Sequence, residues 1–147
     1  MTATLKIEGL DKLTTAMRKE AVKAGGALDR LVNSTAVEGR RRIIKRYKTG
    51  PKTGRIYKRR SKTHQASAAG EAPAVDTGAL ISSVYFTRDA PGQATFGSRL
   101  AYAFYLEFGV DKGTRKIAKR PAWVPVVQEL RPMFTKKAEA ILRKFGR

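Results

Sequence analysis

The chain has 147 residues, 41% of them hydrophobic, and its 31 Lys and Arg against 12 Asp and Glu give a formal net charge of +19. It contains no cysteine and one histidine, which excludes disulfides, thiolate metal sites and multi-histidine metal centres. A single domain over residues 1–147 is expected at this length, and without a signal-like or membrane-length apolar run we expect a soluble, intracellular protein.

The amino-terminal third predicts a short strand and then a long helical segment. Leu5 and Ile7 alternate with polar neighbours, a pattern typical of a strand. From Leu10 to about residue 48, apolar residues recur at steps of three and four, which predicts an amphipathic helix or helix pair. Gly25 and Gly26 each disfavour a helix interior by about 1 kcal/mol relative to Ala, so a bend or break is expected there. The apolar positions are Leu10, Leu13, Met17, Ala21, Ala24, Leu28, Leu31, Val32, Ala36, Ile43 and Tyr47.

The positive charge is concentrated in one stretch of the chain. Between Arg40 and Lys62 lie 12 of the 31 basic residues and no acidic residue, which indicates a polyanionic or acidic partner. Residues 49–75 have no sustained apolar period, so we predict a long basic loop that is mobile until a partner orders it. Its candidate partner contacts are Arg55, Tyr57, Lys58, Arg59, Arg60 and Lys62.

The stretch AVDTGAL contains Asp-Thr-Gly, the sequence of the catalytic turn of aspartic proteases. Those enzymes need two carboxylates in an all-β framework, whereas this chain predicts helices at both ends. Pro73 also occupies the strand that would lead into such a turn. We therefore interpret Asp76 and Thr77 as caps of a short helix over TGALISSV, with Gly78 where a side chain would be crowded.

Other catalytic arrangements have no better support. His64 lies in the basic loop and is interpreted as a solvated side chain. No nucleophile and base pair is visible, and GPKTG lacks the spacing of a phosphate-binding loop. We expect no enzymatic activity, cofactor or metal.

The second half predicts a hairpin and a terminal helix. VYFTRD and QATFGS predict strands joined at Pro91-Gly92, while LAYAFYLEFG fits either a helix or a strand. The remaining residues predict an amphipathic helix, which Pro132 should kink or split. Its apolar face comprises Val126, Leu130, Phe134, Ala138, Ile141 and Phe145. The predicted fold class is α+β: a long amino-terminal helix, a small antiparallel sheet, a carboxy-terminal helix and a long basic loop.

Glu107 is the one carboxylate within the aromatic stretch AFYLEFG. Either it is partly buried and pairs with Arg120 or with a neighbouring subunit's basic loop, or it lies on the solvent side of an amphipathic turn. Phe108 beside it is a candidate partner contact. Gly109 would permit the backbone to turn after it.

These motifs, in this order, resemble the minor tail component or tail-completion family of long-tailed bacteriophages. The resemblance covers about residues 47–130, and it departs from the family pattern at Val110, Trp123 and Val124. The residues that carry it are Ala66, Ser67, Gly70, Glu71, Pro73, Ala74, residues 76–80, residues 102–109, Arg120 and Pro121.

The resemblance implies a non-enzymatic α+β subunit of the phage neck, located in the virion and, during assembly, in the host cytoplasm. It would form a homo-oligomeric ring around the DNA channel and contact neck and tail proteins such as the tail terminator and the head connector. Glu107, Phe108 and Arg120 would join the basic-loop residues as assembly contacts, with Gly109 and Pro121 at structural turns. The alternative is a basic nucleic-acid-binding protein that contacts phosphates non-specifically through RRRIIKRYK and YKRRSK, with Tyr47 and Tyr57 stacking on bases.

Overall fold

The computed structural model of the chain describes residues 10–59 and 62–145. Its helices are α1 (Leu10–Thr49), α2 (Ala79–Ser82), α3 (Tyr102–Phe108) and α4 (Trp123–Phe145). Its strands are β1 (Ile56–Arg59), β2 (Lys62–Gln65), β3 (Val84–Ala90), β4 (Gln93–Ser98), β5 (Val110–Lys112) and β6 (Arg115–Ile117). The strands pair in sequence order as three separate antiparallel hairpins. The predicted α+β class is confirmed, whereas the strand predicted at Leu5 and Ile7 lies outside the described residues.

α1 is a single helix of 40 residues, about 60 Å long. It runs through Gly25 and Gly26 without interruption, so the break predicted there is wrong. Ala24 and Ala27 on either side are among the strongest helix formers and offset part of the glycine cost. The predicted apolar face is confirmed in the second half of the helix, where Leu31, Ala36, Ile43 and Tyr47 are buried.

α4 packs antiparallel against the second half of α1. Tyr47 near the end of α1 contacts Trp123 at the start of α4, and Arg42, more than a turn earlier, reaches Glu129 and Met133. The predicted helix is confirmed, but the split at Pro132 does not occur. Pro132 is exposed, so water can reach the carbonyl group that lacks its usual N–H partner. The shared core consists of Ile43, Tyr47, Ala72, Val84, Ala122, Val126 and Leu130.

The β3–β4 hairpin lies against the side of α1. The predicted strands and the turn at Pro91-Gly92 are confirmed, with Phe86 opposite Phe96 in the register. Phe96 packs so closely on α1 that a Cβ at Gly39 would lie 2.8 Å from its ring. Asp29 of α1 accepts hydrogen bonds from Arg88 at 2.9 Å and from the Gly92 N–H at 2.8 Å, which holds the tip of the hairpin to the helix.

The basic region 49–75 contains a hairpin that the sequence analysis did not predict. β1 and β2 pair from Ile56 opposite Gln65 to Arg59 opposite Lys62. Its strands are four residues long and carry mostly polar side chains, so no alternation of apolar and polar residues reveals them. The prediction of a loop is therefore wrong for the strands and holds only for the residues on either side of them.

In the described part of the chain, no helix combines the length and the apolar character needed to cross a membrane.

Candidate assembly surfaces

The buried Glu107 carboxylate caps the amino terminus of α4. Oε2 accepts hydrogen bonds from the N–H groups of Ala122 at 2.7 Å and Trp123 at 3.0 Å, and Oε1 accepts one from Val124 at 2.7 Å. These are backbone groups at the helix start that have no partner within α4 itself, and a carboxylate there also favours the helix dipole. Glu107 is 6% exposed. It is therefore a structural group of this chain, and its predicted role as a partner contact is wrong.

Arg120 does not pair with Glu107, contrary to one of the two interpretations of the sequence. Its guanidinium donates hydrogen bonds to the Ser67 carbonyl oxygen, at 3.3 Å from Nε and 3.2 Å from Nη2, and to that of Ala118 at 3.4 Å. Its own N–H donates to the Leu106 carbonyl at 2.6 Å. Arg120 thus joins α3, the approach to α4 and the base of the β1–β2 hairpin, a role that sequence spacing could not assign.

Glu71 holds the other side of the hairpin base. Its carboxylate accepts hydrogen bonds from the hydroxyl of Thr53 at 2.6 Å, from the Thr53 N–H at 3.0 Å and from the Ala68 N–H at 2.8 Å. The Thr53 hydroxyl contributes most to holding the pKa of this carboxyl below its usual value, and the two N–H groups add to the effect. These hydrogen bonds fix the base of the hairpin to Glu71 within the chain, and the mobility of residues 49–75 in the absence of a partner stays a prediction.

The turn residues of α3 and α2 have specific backbone roles. Gly109 ends α3 at φ 74°, and a Cβ there would lie 2.9 Å from the Ile117 carbonyl oxygen, so the predicted need for glycine is confirmed. Gly78 precedes α2 at φ 83° with open space around its Cα. Backbone conformation, and not crowding, is therefore the reason for glycine at Gly78.

The Asp-Thr-Gly sequence lies immediately before α2. The Thr77 hydroxyl accepts a long hydrogen bond, 3.4 Å, from the Ala79 N–H, which agrees with its predicted capping role. Gly78 itself occupies the cap position, and no side chain at that position provides a cap for α2. Asp76 lines a cleft of about 460 Å³ that also contains Tyr57, His64 and Tyr102. Across the described residues, no three His, Asp or Glu side chains are grouped to hold a metal ion.

The two sides of α3 are reversed relative to an ordinary amphipathic helix. Ala103 and Glu107 face inward and are buried, whereas Phe104 and Phe108 face outward, 62% and 51% exposed. Their rings contact each other with centroids 4.8 Å apart. Beside them on α4, Val124 and Val127 are also exposed and line a groove of about 460 Å³. We call this surface the aromatic groove: Phe104, Phe108, Trp123, Val124 and Val127.

The first turns of α1 extend beyond the rest of the described chain. Every side chain from residue 12 to residue 19 is exposed, and Phe145 at the end of α4 lines a pocket with α1 residues from Glu20 to Arg30. Leu13 and Met17 belong to the same apolar face whose later members form the core, yet Met17 is 63% exposed. We call residues 12–22 the α1 extension. Its apolar face has no cover among the described residues.

The described cations between Arg41 and Lys62 fall into two groups. Arg41 and Arg42 donate to Glu38, and Arg42 and Arg46 donate to Glu129, so these arginines are neutralised within the chain. Hydrogen bonds from Arg41 and Arg42 lower the pKa of Glu38 to about 2. We call residues 45–62 the basic segment. The side chains of its cations Lys45, Lys48, Lys52, Arg55, Lys58 and Lys62 make no hydrogen bond or ion pair with any described residue.

The predicted partner contacts therefore separate into three groups. Arg55, Tyr57, Lys58 and Lys62 are exposed on the β1–β2 hairpin, where the rings of Tyr57 and His64 pack with centroids 5.1 Å apart. The Arg59 side chain and all of Arg60 lie outside the described residues. Phe108 is also exposed, as a contact residue would be. Glu107 and Arg120 form the third group, because their side chains form hydrogen bonds within the chain. Pro121 lies two residues before α4, in irregular backbone between β6 and α4.

Two features of the site were missed by the sequence analysis. Phe104 was not singled out, although its spacing of four from Phe108 would place both on one face once a helix was assigned. The exposure of the α1 extension was not predicted, because periodicity cannot tell which part of a long apolar face is covered.

Comparison of the chain with family models, curated proteins and solved structures found no match.

Proposed function

We propose that this chain is a structural subunit of a bacteriophage neck, a tail-completion or head-tail joining protein that assembles as a ring around the DNA channel. The proposal starts from the motif resemblance and gains support from how the motif residues are used. Glu71, Glu107 and Arg120 form hydrogen bonds within their own chain, mostly with backbone groups. Residues that hold the fold together suit a structural family better than an enzyme, so we propose no catalytic activity.

The observation that carries the proposal is the reversal of α3. A carboxylate is buried at Glu107 while two phenylalanines one turn apart, Phe104 and Phe108, face solvent. Contiguous exposed apolar surface, especially aromatic surface, is typical of sites where another protein packs. The aromatic groove therefore suits a contact with a second copy of the chain.

The α1 extension is the surface on the second copy that fits this groove. A helix with an exposed apolar face can lie in an apolar groove, with residues at steps of three and four as anchors. Leu13 and Met17 have that spacing. The groove and the extension are different surfaces of the same chain. When two copies bind, one copy keeps a free groove and the other keeps a free extension, so further copies can add at both ends. Such head-to-tail contacts close into a ring or continue as a filament.

The partners follow from the charge and the resemblance. Each copy adds a formal charge of +19, so neighbouring copies repel one another unless salt or an anionic partner reduces the repulsion. The other expected partners are neighbouring neck and tail proteins, such as the tail terminator and the head connector. The proposed locations are the host cytoplasm during assembly and the finished virion.

A second candidate function is favoured by the basic segment: a nucleic-acid-binding protein that contacts phosphates without reading sequence. The two functions differ in whether the protein assembles. A protein whose purpose is phosphate binding has no need of the aromatic groove.

Two substitutions, one on each surface, test the proposal. Phe104→Glu should remove the groove and Met17→Glu the extension, so each variant should stay monomeric under conditions in which the wild-type chain forms larger species by mass photometry. Both positions are exposed, so the fold should tolerate glutamate. Leu142→Glu, at an α4 position that is 55% exposed and outside both surfaces, is the matched control and should assemble normally.

Mixing the two monomeric variants makes the test specific for a head-to-tail contact. Phe104→Glu keeps an intact extension and Met17→Glu keeps an intact groove, so the mixture should form dimers that cannot grow further. A wild-type chain that stays monomeric, or a Phe104→Glu variant that assembles like the control, would contradict the proposal.

A further inference from the structure

The basic segment carries charge that the rest of the described chain does not neutralise. From residue 39 to residue 70 there is no Asp or Glu, and Glu38 and Glu71, which flank this stretch, are both engaged. Glu38 binds Arg41 and Arg42, while Glu71 binds Thr53 and Ala68. No hydrogen bond or ion pair joins a carboxylate to Lys48, Lys52, Arg55, Lys58 or Lys62 among the described residues.

The β1–β2 hairpin presents this charge on a two-stranded ribbon. Tyr57 lies opposite His64, and Lys58 opposite Thr63. Because side chains alternate along a strand, Lys62 lies on the same face of the ribbon as His64, and Lys58 lies on the other face. The ribbon thus has cations on both of its faces. Hydrogen bonds from Gly54 to Ala66 and from Ala66 to Arg55 extend the pairing to its base.

This arrangement matches a nucleic-acid duplex better than an acidic protein. Double-stranded DNA has a phosphate backbone along each side of its grooves, and exposed cations that no carboxylate of the chain neutralises can pair with these phosphates. Protein interfaces, in contrast, have apolar centres from which charge is depleted. Among the described residues of the two strands, Ile56 and Tyr57 are the large apolar side chains.

We propose that the basic segment binds the phosphate backbone of double-stranded DNA without reading its base sequence. Arg55, Lys58 and Lys62 of the hairpin contact phosphates, and Lys45, Lys48 and Lys52, which precede the hairpin in the chain, contact neighbouring phosphates. Only the location of the DNA, inside the channel of a ring, rests on the proposed function. The binding itself is a property of the single chain and does not require assembly.

Two variants with the same net charge test this site. The first, the segment variant, replaces Lys52, Arg55, Lys58 and Lys62 with Gln. The second, the control variant, replaces four exposed lysines elsewhere with Gln: Lys112, Lys136, Lys137 and Lys144. Binding of a fluorescein-labelled duplex of arbitrary sequence is measured by anisotropy over a series of salt concentrations. Both variants are also made with Phe104→Glu, so that the result does not depend on self-association.

The slope of log affinity against log salt counts the phosphates that are contacted, at about 0.9 per contact. We expect the slope of the segment variant to fall by about 3–4 relative to wild type, and that of the control variant by less than about 1. Equal losses in the two variants would show attraction by net charge alone and would overturn the proposal. Polyglutamate that competes as well as unlabelled duplex at equal charge would also overturn it, in favour of an acidic protein partner.

The outcome is independent of the test of the ring. DNA binding that depends on the basic segment in a chain that never assembles would support this site and contradict the neck function. Normal assembly, together with equal DNA binding by the segment and control variants, would support the neck function and contradict this site.

Discussion

The indole N–H of Trp123 donates a hydrogen bond of 2.9 Å to the hydroxyl of Tyr47. This contact joins the end of α1 to the start of α4, and it lies in the core beside Ile43 and Val126. The Tyr47 side chain is nearly fully buried, and burial raises the pKa of its phenol well above the usual value. The phenol therefore stays neutral and can accept this bond at any ordinary pH.

Replacing Tyr47 with Phe should lower the free energy of unfolding by about 1–2 kcal/mol, because the indole N–H loses its acceptor while the ring packing is kept. Trp123 is the only tryptophan in the chain, so its fluorescence reports the change directly and also follows urea unfolding. Tyr57→Phe, at an exposed tyrosine, is the control and should change stability by less than about 0.5 kcal/mol. Equal stability of wild type and Tyr47→Phe would show that the bond contributes nothing.

Glu107→Ala should be among the most destabilising single substitutions, at about 2–4 kcal/mol, because it leaves three N–H groups at the start of α4 without their acceptor. Glu107→Gln should lower the free energy of unfolding by a smaller amount. Its side-chain amide keeps one oxygen as an acceptor, but its NH₂ group is a donor that faces at least one backbone N–H. Glu139→Gln on the exposed side of α4 serves as the control in the same urea titrations. A Glu107→Gln protein as stable as wild type would exclude the capping role.

The sequence predicted the elements whose side chains repeat with a regular period. The long α1, the β3–β4 hairpin and α4 each alternate apolar and polar residues at helix or strand spacing, so their type was correct. The β1–β2 hairpin has no such period. Its base is held by hydrogen bonds of Glu71 with Thr53 and of Arg120 with Ser67, two residues that lie elsewhere in the chain. Local patterns cannot show support of that kind.

Gly25→Ala and Gly39→Ala should change stability in opposite directions, although both lie within α1. At Gly25 no atom lies within 4 Å of an added Cβ, so alanine should stabilise the protein by about 0.5–1 kcal/mol through helix propensity. At Gly39 the Cβ would meet the Phe96 ring at 2.8 Å, and overpacking should cost about 1–3 kcal/mol. The melting temperatures of both variants are compared with that of the wild type. If both variants melt at a higher temperature, Phe96 does not pack against α1 as described.

Glu38 should make stability depend on pH in the acid range. Its pKa is about 2 in the folded state against 4.5 without partners, so its contribution is fully present above about pH 4.5 and is lost as pH falls towards 2. Because the pair is near the surface, we expect only about 1 kcal/mol at neutral pH. Glu38→Gln should therefore be less stable than wild type at neutral pH, and the difference should vanish below about pH 2. A difference that stays constant over this range in urea unfolding would contradict the assignment.

The candidate surfaces were harder to predict than the fold, since a sequence shows which residues are apolar but not which of them are covered. Glu107 illustrates this point: pairing with Arg120 and exposure to solvent were both considered, yet its partners are backbone N–H groups, which carry no signature in the sequence. Phe104 became a candidate only when the structure placed it outward beside Phe108. Leu13 and Met17 share a helical face with buried residues, but α4 as described to Phe145 does not cover them.

Electron microscopy of the purified wild-type protein, with and without duplex DNA, shows whether the chain forms rings. We expect closed rings of one size with a central opening wide enough for a duplex, and the same rings should be more numerous when DNA reduces the repulsion between copies. Phe104→Glu should abolish them. A wild-type protein that remains monomeric in both conditions, or that forms only open filaments, would contradict the claim that this chain is a ring-forming neck subunit.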